Sequence, residues 1–371
     1  MKKVCLYYWH RVQDFDDYAI EHFDPNDHIG SRDVLSLRDL IVDGWGGYSK
    51  RRAILGGAAG IDKLYRQRDP AYMRMVEQFV ERYRDYDLIV MAHNFIHPDI
   101  LVNELQKPVK ILGFIDDPYT TYQRGIPFLW AFDGAFHIST SYSERWLFPE
   151  AFERWGFHNH RWWPLTQPCE LPARGRDYFE NRDVEVVYVG NPHPNKLGRL
   201  ALLKRHFGDR FHVHGRWRFS GFGGWAGALS GKPVYWRRVR PLSAEGRTNL
   251  YRRAQIGFNM HVSDQPTETG NMRMYELPSH GVMQVCDKAG RDAHAQIFAP
   301  GKEAVFYNDL PDAIDRIEYY IAHPAERIEI AMAAYERARR DYDWRHNLRD
   351  MLEWGLSLKG TAQRPSSTTE S

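Results

Sequence analysis

Short apolar runs alternate with helical stretches along this chain, and the alternation occurs twice. Val4 to Tyr8, Leu88 to Met91, Val109 to Phe114 and Gly134 to Ile138 are each bounded by charged or turn residues, with helical stretches such as Tyr72 to Arg84 between them. Continuous apolar runs suit strands buried on both faces of a parallel sheet, and the intervening helices supply the covering layers. A second series follows in Val184 to Gly190, Phe211 to His214, Ile256 to Met260, Val282 to Cys286 and Ala304 to Tyr307. Between the two, Asn159 to Arg182 carries Pro164, Pro168 and Pro172 among charges and reads as an interdomain linker. The 371 residues exceed what one compact domain usually holds. The expected fold class is α/β, with two tandem Rossmann-like, doubly wound domains.

Near the end, Leu310, Ala313, Ile314, Ile317, Tyr320 and Ile321 recur at helical spacing, and Ile328, Ala331, Met332, Tyr335 and Ala338 repeat the pattern after Pro324. Trp344 to Leu356 reads as a third helix, and from Lys359 the Gly, Thr, Ser and Pro content predicts a disordered tail. The Gly- and Trp-rich stretch between Gly215 and Arg240 has no period and reads as a long loop. The resulting division is 1–165, 166–343, a helix at 344–358 and a tail at 359–371.

No apolar run approaches the ~18 residues that span a bilayer, and Met1-Lys-Lys-Val-Cys5 leads into a short strand, so a cytoplasmic protein is expected. Cys5, Cys169 and Cys286 are far apart, odd in number and without metal spacing, which indicates neither a disulfide framework nor a zinc site. A net charge of +2 does not announce a nucleic-acid protein.

The chemistry concentrates in Glu268-Thr-Gly-Asn-Met-Arg-Met-Tyr-Glu276-Leu-Pro-Ser-His-Gly281, where two carboxylates stand eight positions apart. Glu276 is expected on the first turn of a helix. The unpaired amides of a helix start, with about half a positive charge, can hold an anion near Asn271, Met272 and Arg273. One glutamate would then accept ribose hydroxyls while the other, Glu268, faces a sugar. This stretch resembles the donor-site signature of retaining group-1 glycosyltransferases of the GT-B fold. Glu268, Glu276 and Gly281 match, and Gly270-Asn271 stands where Phe-Gly is usual.

Val187-Tyr-Val-Gly190-Asn191-Pro-His-Pro-Asn-Lys196 is similar to the phosphate-binding turn of the same superfamily, with Lys196 in place and Asn191 where an Arg is usual. With Asp116-Asp117-Pro118, the run from Tyr251 to Met260, Asn271 to Gly281 and Pro300 to Tyr307, the chain resembles the CgeB-like branch of those transferases, named for a spore-maturation protein. Asn191 and Arg273 conform to that branch, and the likeness covers most of residues 109 to 350.

The resemblance implies an N-terminal acceptor-side domain, a C-terminal nucleotide-sugar donor domain, a last helix crossing back to the first domain and a cleft between the two. It implies a transferase that moves a sugar from a nucleotide diphosphate to a hydroxyl of an unidentified acceptor, with retention and without a metal or other cofactor. Gly190, Asn191, Lys196, Asn271, Met272, Arg273 and Glu276 would bind the donor. Glu268, His93, Asp116 and Asp117 would serve the chemistry.

Duller readings stand beside these. Lys196 reads also as a solvated first-turn lysine, although a cation there opposes the helix dipole unless an anion joins it. Arg273 reads equally as a structural partner of Glu276 or Glu268. His93, at the carboxyl end of a strand, is either a ligand contact or a satisfied structural histidine. Asp116-Asp117-Pro118 is also a common turn and helix-start sequence. Gly44-Trp-Gly-Gly47 reads as a plain loop or a phosphate approach, and Tyr235 to Arg240 as a solvated strand or a grip on an anion. Rival classes are a nucleic-acid-modifying transferase, a silent scaffold of the same fold and a nucleotide-sugar epimerase.

Overall fold

The computed structural model of the chain describes residues 2–8, 29–36, 57–91, 94–114, 125–137, 152–169, 174–190, 194–215, 239–261, 271–288 and 293–358. Two compact units emerge. One runs through Pro164, apart from residues 142–144, and takes back the chain from Arg345; the other contains Leu165 to Trp344.

The first unit holds a six-stranded sheet of β1 (Lys2–Tyr8), β2 (Ile29–Ser36), β3 (Leu88–Met91), β4 (Val109–Phe114), β5 (Gly134–His137) and β6 (His160–Trp162). Its order is β2-β1-β3-β4-β5-β6 and every pairing is parallel. Helix α1 (Ala58–Arg66) is followed by α2 (Pro70–Tyr83), which starts where Asp69 accepts from the amides of Ala71 and Tyr72 and Pro70 takes the first helical position. Helix α3 (Pro98–Asn103) begins the same way, with His97 accepting from Asp99 N. Side chains alternate across the sheet. Ile89, Met91, Leu112 and Ala135 face a core shared with Tyr72, Met75, Phe79 and Leu101 of α2 and α3. Leu88, Ile111 and Phe136 face the other way.

The second unit holds a five-stranded parallel sheet of β7 (Val184–Val189), β8 (Phe211–His214), β9 (Ala254–Asn259), β10 (Met283–Asp287) and β11 (Val305–Tyr307), in the order β11-β10-β9-β7-β8. Its helices are α4 (Asp177–Glu180), α5 (Pro194–Phe207), α6 (Ala244–Arg253), α7 (Met272–Ser279), α8 (Ala293–Ile297), α9 (Leu310–Ala322) and α10 (Pro324–Asp341). One sheet face, with Val186, Tyr188, Ile256 and Phe258, packs on Leu200 and Leu203 of α5 and on Ala313 and Ile317 of α9. The other, with Val187 and Ala254, packs on Tyr251 of α6 and Leu277 of α7.

The last helix, α11 (Trp344–Ser357), belongs with the first unit from Arg345 onward. The Trp354 ring meets the Phe136 ring at 5.0 Å, and Gly355 comes up against Leu88 and Ile111. This helix therefore covers the sheet face that α2 and α3 leave open.

Two expectations change. The proline-bearing segment 159–182 is not simply a linker: His160–Trp162 is strand β6, Asp177–Glu180 is helical, and the units divide between Pro164 and Leu165. Strand β2 was absent from the expected series. The Gly- and Trp-rich stretch, for the most part, and the tail from Lys359 lie outside the described residues, as do Gly44 to Gly47 and most of Tyr235 to Arg240. No helix among the described residues is long and apolar enough to cross a membrane.

Candidate functional site

In the second sheet the chain leaves β7 for β8 on one side and crosses to β9 on the other. Open α/β sheets bind ligands outside the carboxyl ends of the strands at such a reversal. Among the polar side chains singled out above, Lys196, Asn271, Arg273 and Glu276 are described, on or at the start of the helices that follow β7 and β9.

Arg273, in the first turn of α7, reaches across the ends of both strands. Its Nε donates to the Val189 carbonyl at 2.8 Å, its Nη1 donates to Asn259 Oδ1 at 3.0 Å, and its guanidinium stacks 4.3 Å from the centroid of the Tyr188 ring. Gly190 makes this approach possible, because a Cβ there would run into Arg273 Nη2. Arg273 is therefore partnered by neither Glu276 nor, among the described residues, any other carboxylate.

Asn271 is the N-cap of α7. Its Oδ1 accepts from Met274 N at 3.1 Å and its Nδ2 donates to Asn259 Oδ1 at 3.0 Å, so one amide oxygen of β9 fixes both the cap and the arginine. The amides of Met272 and Arg273, ahead of the capped one, have no hydrogen-bond partner among the described residues. Asn259 Nδ2 and the Tyr188 hydroxyl are also buried at this reversal without a partner among the described residues. Native interiors rarely leave such groups unmatched, and an oxygen-rich ligand is one way to match them. Lys196 is the third residue of α5, directly after the β7 turn, and it is buried rather than solvated. A first-turn lysine at this place suits an anion.

Glu276 lies on the second turn of α7, five residues after the cap, and not on the first turn as expected. Its Oε1 pairs with Arg247 Nε at 2.8 Å and its Oε2 accepts from the Tyr251 hydroxyl at 3.0 Å. Burial, and then the Glu276 charge, push the Tyr251 hydroxyl well above the usual tyrosine range, so it remains a donor. Arg182 locks this neighbourhood from beneath. Its guanidinium donates to the carbonyls of Tyr251 at 3.1 Å, Ala254 at 2.6 Å and His280 at 2.8 Å, tying the end of α6 and the start of β9 to the end of α7.

At the next strand ends, His261 Nδ1 contacts Asp287 Oδ1 at 2.6 Å and His261 N donates to Asp287 Oδ2 at 2.8 Å. With Cys286 these make the only group among the described residues in which three possible ligand atoms, all within 4.8 Å, could hold a metal. The 2.6 Å approach is that of a hydrogen bond and is closer than two ligands of one ion usually stand, so the cluster reads as a hydrogen-bonded link between β9 and β10.

Of the residues expected at the site, Gly190, Lys196, Asn271, Met272, Arg273 and Glu276 are described: Gly190 directly follows β7, Lys196 is on α5, Asn271 caps α7, and Met272, Arg273 and Glu276 are on α7. Glu268, His93, Asp116, Asp117 and Asn191 lie outside the described residues. Asn259, Tyr188, Arg247, Tyr251 and Arg182 were not anticipated. A lone Asn closing an apolar strand, and an Arg four residues before a Tyr on one helix face, were the available signals.

Residues 198–353 match the family model described as glycosyl transferase-like. A search of the curated proteins finds no match. Among solved structures, Anabaena HepE, solved with UDP and glucose, superposes with a TM-score of 0.60 at 14% identity over 95% of this chain and 99% of its own. Sucrose-phosphate synthase from Thermosynechococcus elongatus gives 0.61 at 13% identity over 97% and 100%, and a glycosyltransferase from Rickettsia africae gives 0.55 at 11% over 97% and 99%. Identities this low speak for architecture: the chain has two parallel-sheet α/β domains of the GT-B fold, and its residues 198–353 are similar to the glycosyl transferase-like family.

Proposed function

We propose that the protein is a glycosyltransferase that takes a sugar from a nucleotide diphosphate and places it on an acceptor hydroxyl, with retention of configuration and without a metal. The observation that carries this reading is the set of donors at the β7–β9 reversal: Arg273, the first amides of α7, and the unmatched Asn259 Nδ2 and Tyr188 hydroxyl, with Lys196 in the first turn of the helix that follows β7. Breaking the glycosidic bond leaves negative charge on the diphosphate, and donors already fixed in place stabilise it without reorganising. Lys196 and Arg273 would supply the charge that a metal supplies elsewhere. Glu276 would accept ribose hydroxyls, and Glu268 would face the sugar, with His93, Asp116 and Asp117 serving donor sugar and acceptor. The presence of UDP in the HepE structure makes UDP the first nucleotide to try. Assignment to the CgeB-like branch is supported by Asn191 and Arg273 together with Asp116-Asp117-Pro118 and the runs Tyr251 to Met260, Asn271 to Gly281 and Pro300 to Tyr307.

The test is a thermal-shift panel of UDP, GDP, dTDP, CDP and ADP, followed by initial rates with the matching nucleotide-sugar in the presence and absence of EDTA. Binding of one nucleotide and turnover that survives EDTA are expected. A protein that binds none of the five is a scaffold, and one that releases free nucleotide without any acceptor is an epimerase. Turnover silenced by EDTA and restored by Mn²⁺ overturns the metal-free mechanism.

A further inference from the structure

We infer that Arg247 and Tyr251 are positioning residues that hold the Glu276 carboxylate in the orientation in which it accepts the ribose hydroxyls of the nucleotide. The inference rests on the donor-site reading above and adds to it two residues of α6. An ionised carboxylate has about four acceptor positions. Arg247 Nε occupies one on Oε1 and the Tyr251 hydroxyl one on Oε2, which leaves a position on each oxygen for the two vicinal hydroxyls of a ribose. Because the two residues stand four apart on α6, both reach Glu276 from one helix face. The two oxygens are thereby gripped separately, and the carboxylate cannot turn about its last bond.

The grip is itself anchored. Tyr251 is fully buried and keeps its proton, and its backbone carbonyl is held by Arg182, which also holds the start of β9 and the end of α7. Tyr251 and Glu276 therefore keep their separation by main-chain contacts as well as by the hydroxyl. Arg247 is about a third exposed and Glu276 almost buried, so the pair sits at the rim, where a ligand can still reach the carboxylate. A bond that only joined α6 to α7 would stabilise the fold and would be indifferent to the ribose.

Ribose discrimination separates the two roles. The probes are UDP and its analogue lacking both ribose hydroxyls, measured by calorimetry with the full chain. Wild type should favour UDP by about ten- to hundredfold, the effect of hydrogen bonds to a charged group. Tyr251→Phe, which removes one oxygen, should cut that preference severalfold. Arg247→Ala should bring it close to unity, and Arg247→Lys should recover part of it. In a Glu276→Gln background, adding Tyr251→Phe should change the preference no further, because coupled residues are not additive. Folded Tyr251→Phe and Arg247→Ala proteins that keep the full wild-type preference overturn the inference and leave the nucleotide site standing. A wild type that ignores UDP, or binds both probes equally, removes the ribose role of Glu276 and the inference with it.

Discussion

At the residue scale, Gly190 and Arg273 decide the shape of the site. The guanidinium lies where a Cβ of residue 190 would be, so Gly190→Ala must displace Arg273 from Tyr188 and from the Val189 carbonyl. Overpacking of this kind costs typically ~1–3 kcal/mol. A drop of that size in urea unfolding is expected, together with at least about a tenfold loss of nucleotide affinity from a misplaced charged donor. Wild-type affinity in Gly190→Ala would remove Arg273 from the donor site. Lys196→Ala belongs beside it: if the lysine acts mainly on the leaving diphosphate, catalytic efficiency should fall ~10²-fold while nucleotide affinity changes much less. A fully active Lys196→Ala protein would place the phosphates elsewhere. Within the candidate site, Gly190, Lys196, Asn271 and Arg273 could be singled out from the sequence because their signal is local, a strand end or a helix start with polar chemistry beside it, whereas Glu276, expected on the first turn, stands on the second. Asn259, Arg247 and Arg182 could not be, because their meaning lies in partners such as Asn271, Glu276 and His280, which only folding brings near.

At the element scale, the strands that escaped the sequence reading explain themselves. β2 and β6 are the two edges of the first sheet. Ile29-Gly-Ser-Arg-Asp-Val-Leu-Ser36 and His160-Arg-Trp162 carry the polar residues that edge strands tolerate, so neither shows the continuous apolar run by which the inner strands are found. Edge strand β8 has a further consequence. Partial burial, then nearby Lys204 and Arg253, hold His212 below the usual histidine range against a smaller opposing pull from Asp183 and Asp209, and burial with neighbouring His212 does the same to His214. A depressed native value means that the unfolded chain takes up protons first, from about pH 6.5. The stability these histidines allow is thus present above that pH and is lost as pH falls towards their lowered native values. Urea midpoints of the wild type should fall between about pH 7.5 and 5.5, and the fall should be smaller in the His212→Gln, His214→Gln double variant. An identical fall in both proteins would assign it to other groups. The approach of α7 to its sheet is set in the same way by one residue: Gly257 on β9 faces Leu277, and a Cβ there would overlap the leucine side chain. Gly257→Ala should lift α7 and weaken nucleotide binding with no change in any polar group, measured as a loss in calorimetry. Unaltered affinity would show that the strand ends, and not the helix, hold the ligand.

At the scale of the whole molecule, the twofold alternation of apolar runs made the two-sheet architecture legible, because a buried parallel strand must be apolar throughout, whichever loops join it to the next. Each unit has its own core, one around Tyr72, Phe79 and Phe95 and the other around Val186, Phe258 and Val285. Unfolding is therefore expected in two transitions rather than one. The candidate nucleotide site belongs to the second unit, so UDP at ~100 times its dissociation constant should raise that unit's transition by the equivalent of about 2.7 kcal/mol. The first unit depends instead on the end of the chain. Leu348, Met351, Leu352 and Leu358 are buried, and Trp354 packs on Phe136. At ~1.5–3 kcal/mol for each large apolar side chain, ending the chain after Trp344 should cost the first unit on the order of 5 kcal/mol or more, a large part of a domain's usual stability. Calorimetric scans of the truncated protein, with and without UDP, should show the first transition lowered or lost while the second keeps its nucleotide shift. If truncation abolishes the UDP shift and leaves the first transition in place, the division of stability between the two units is the reverse of the one argued from these cores.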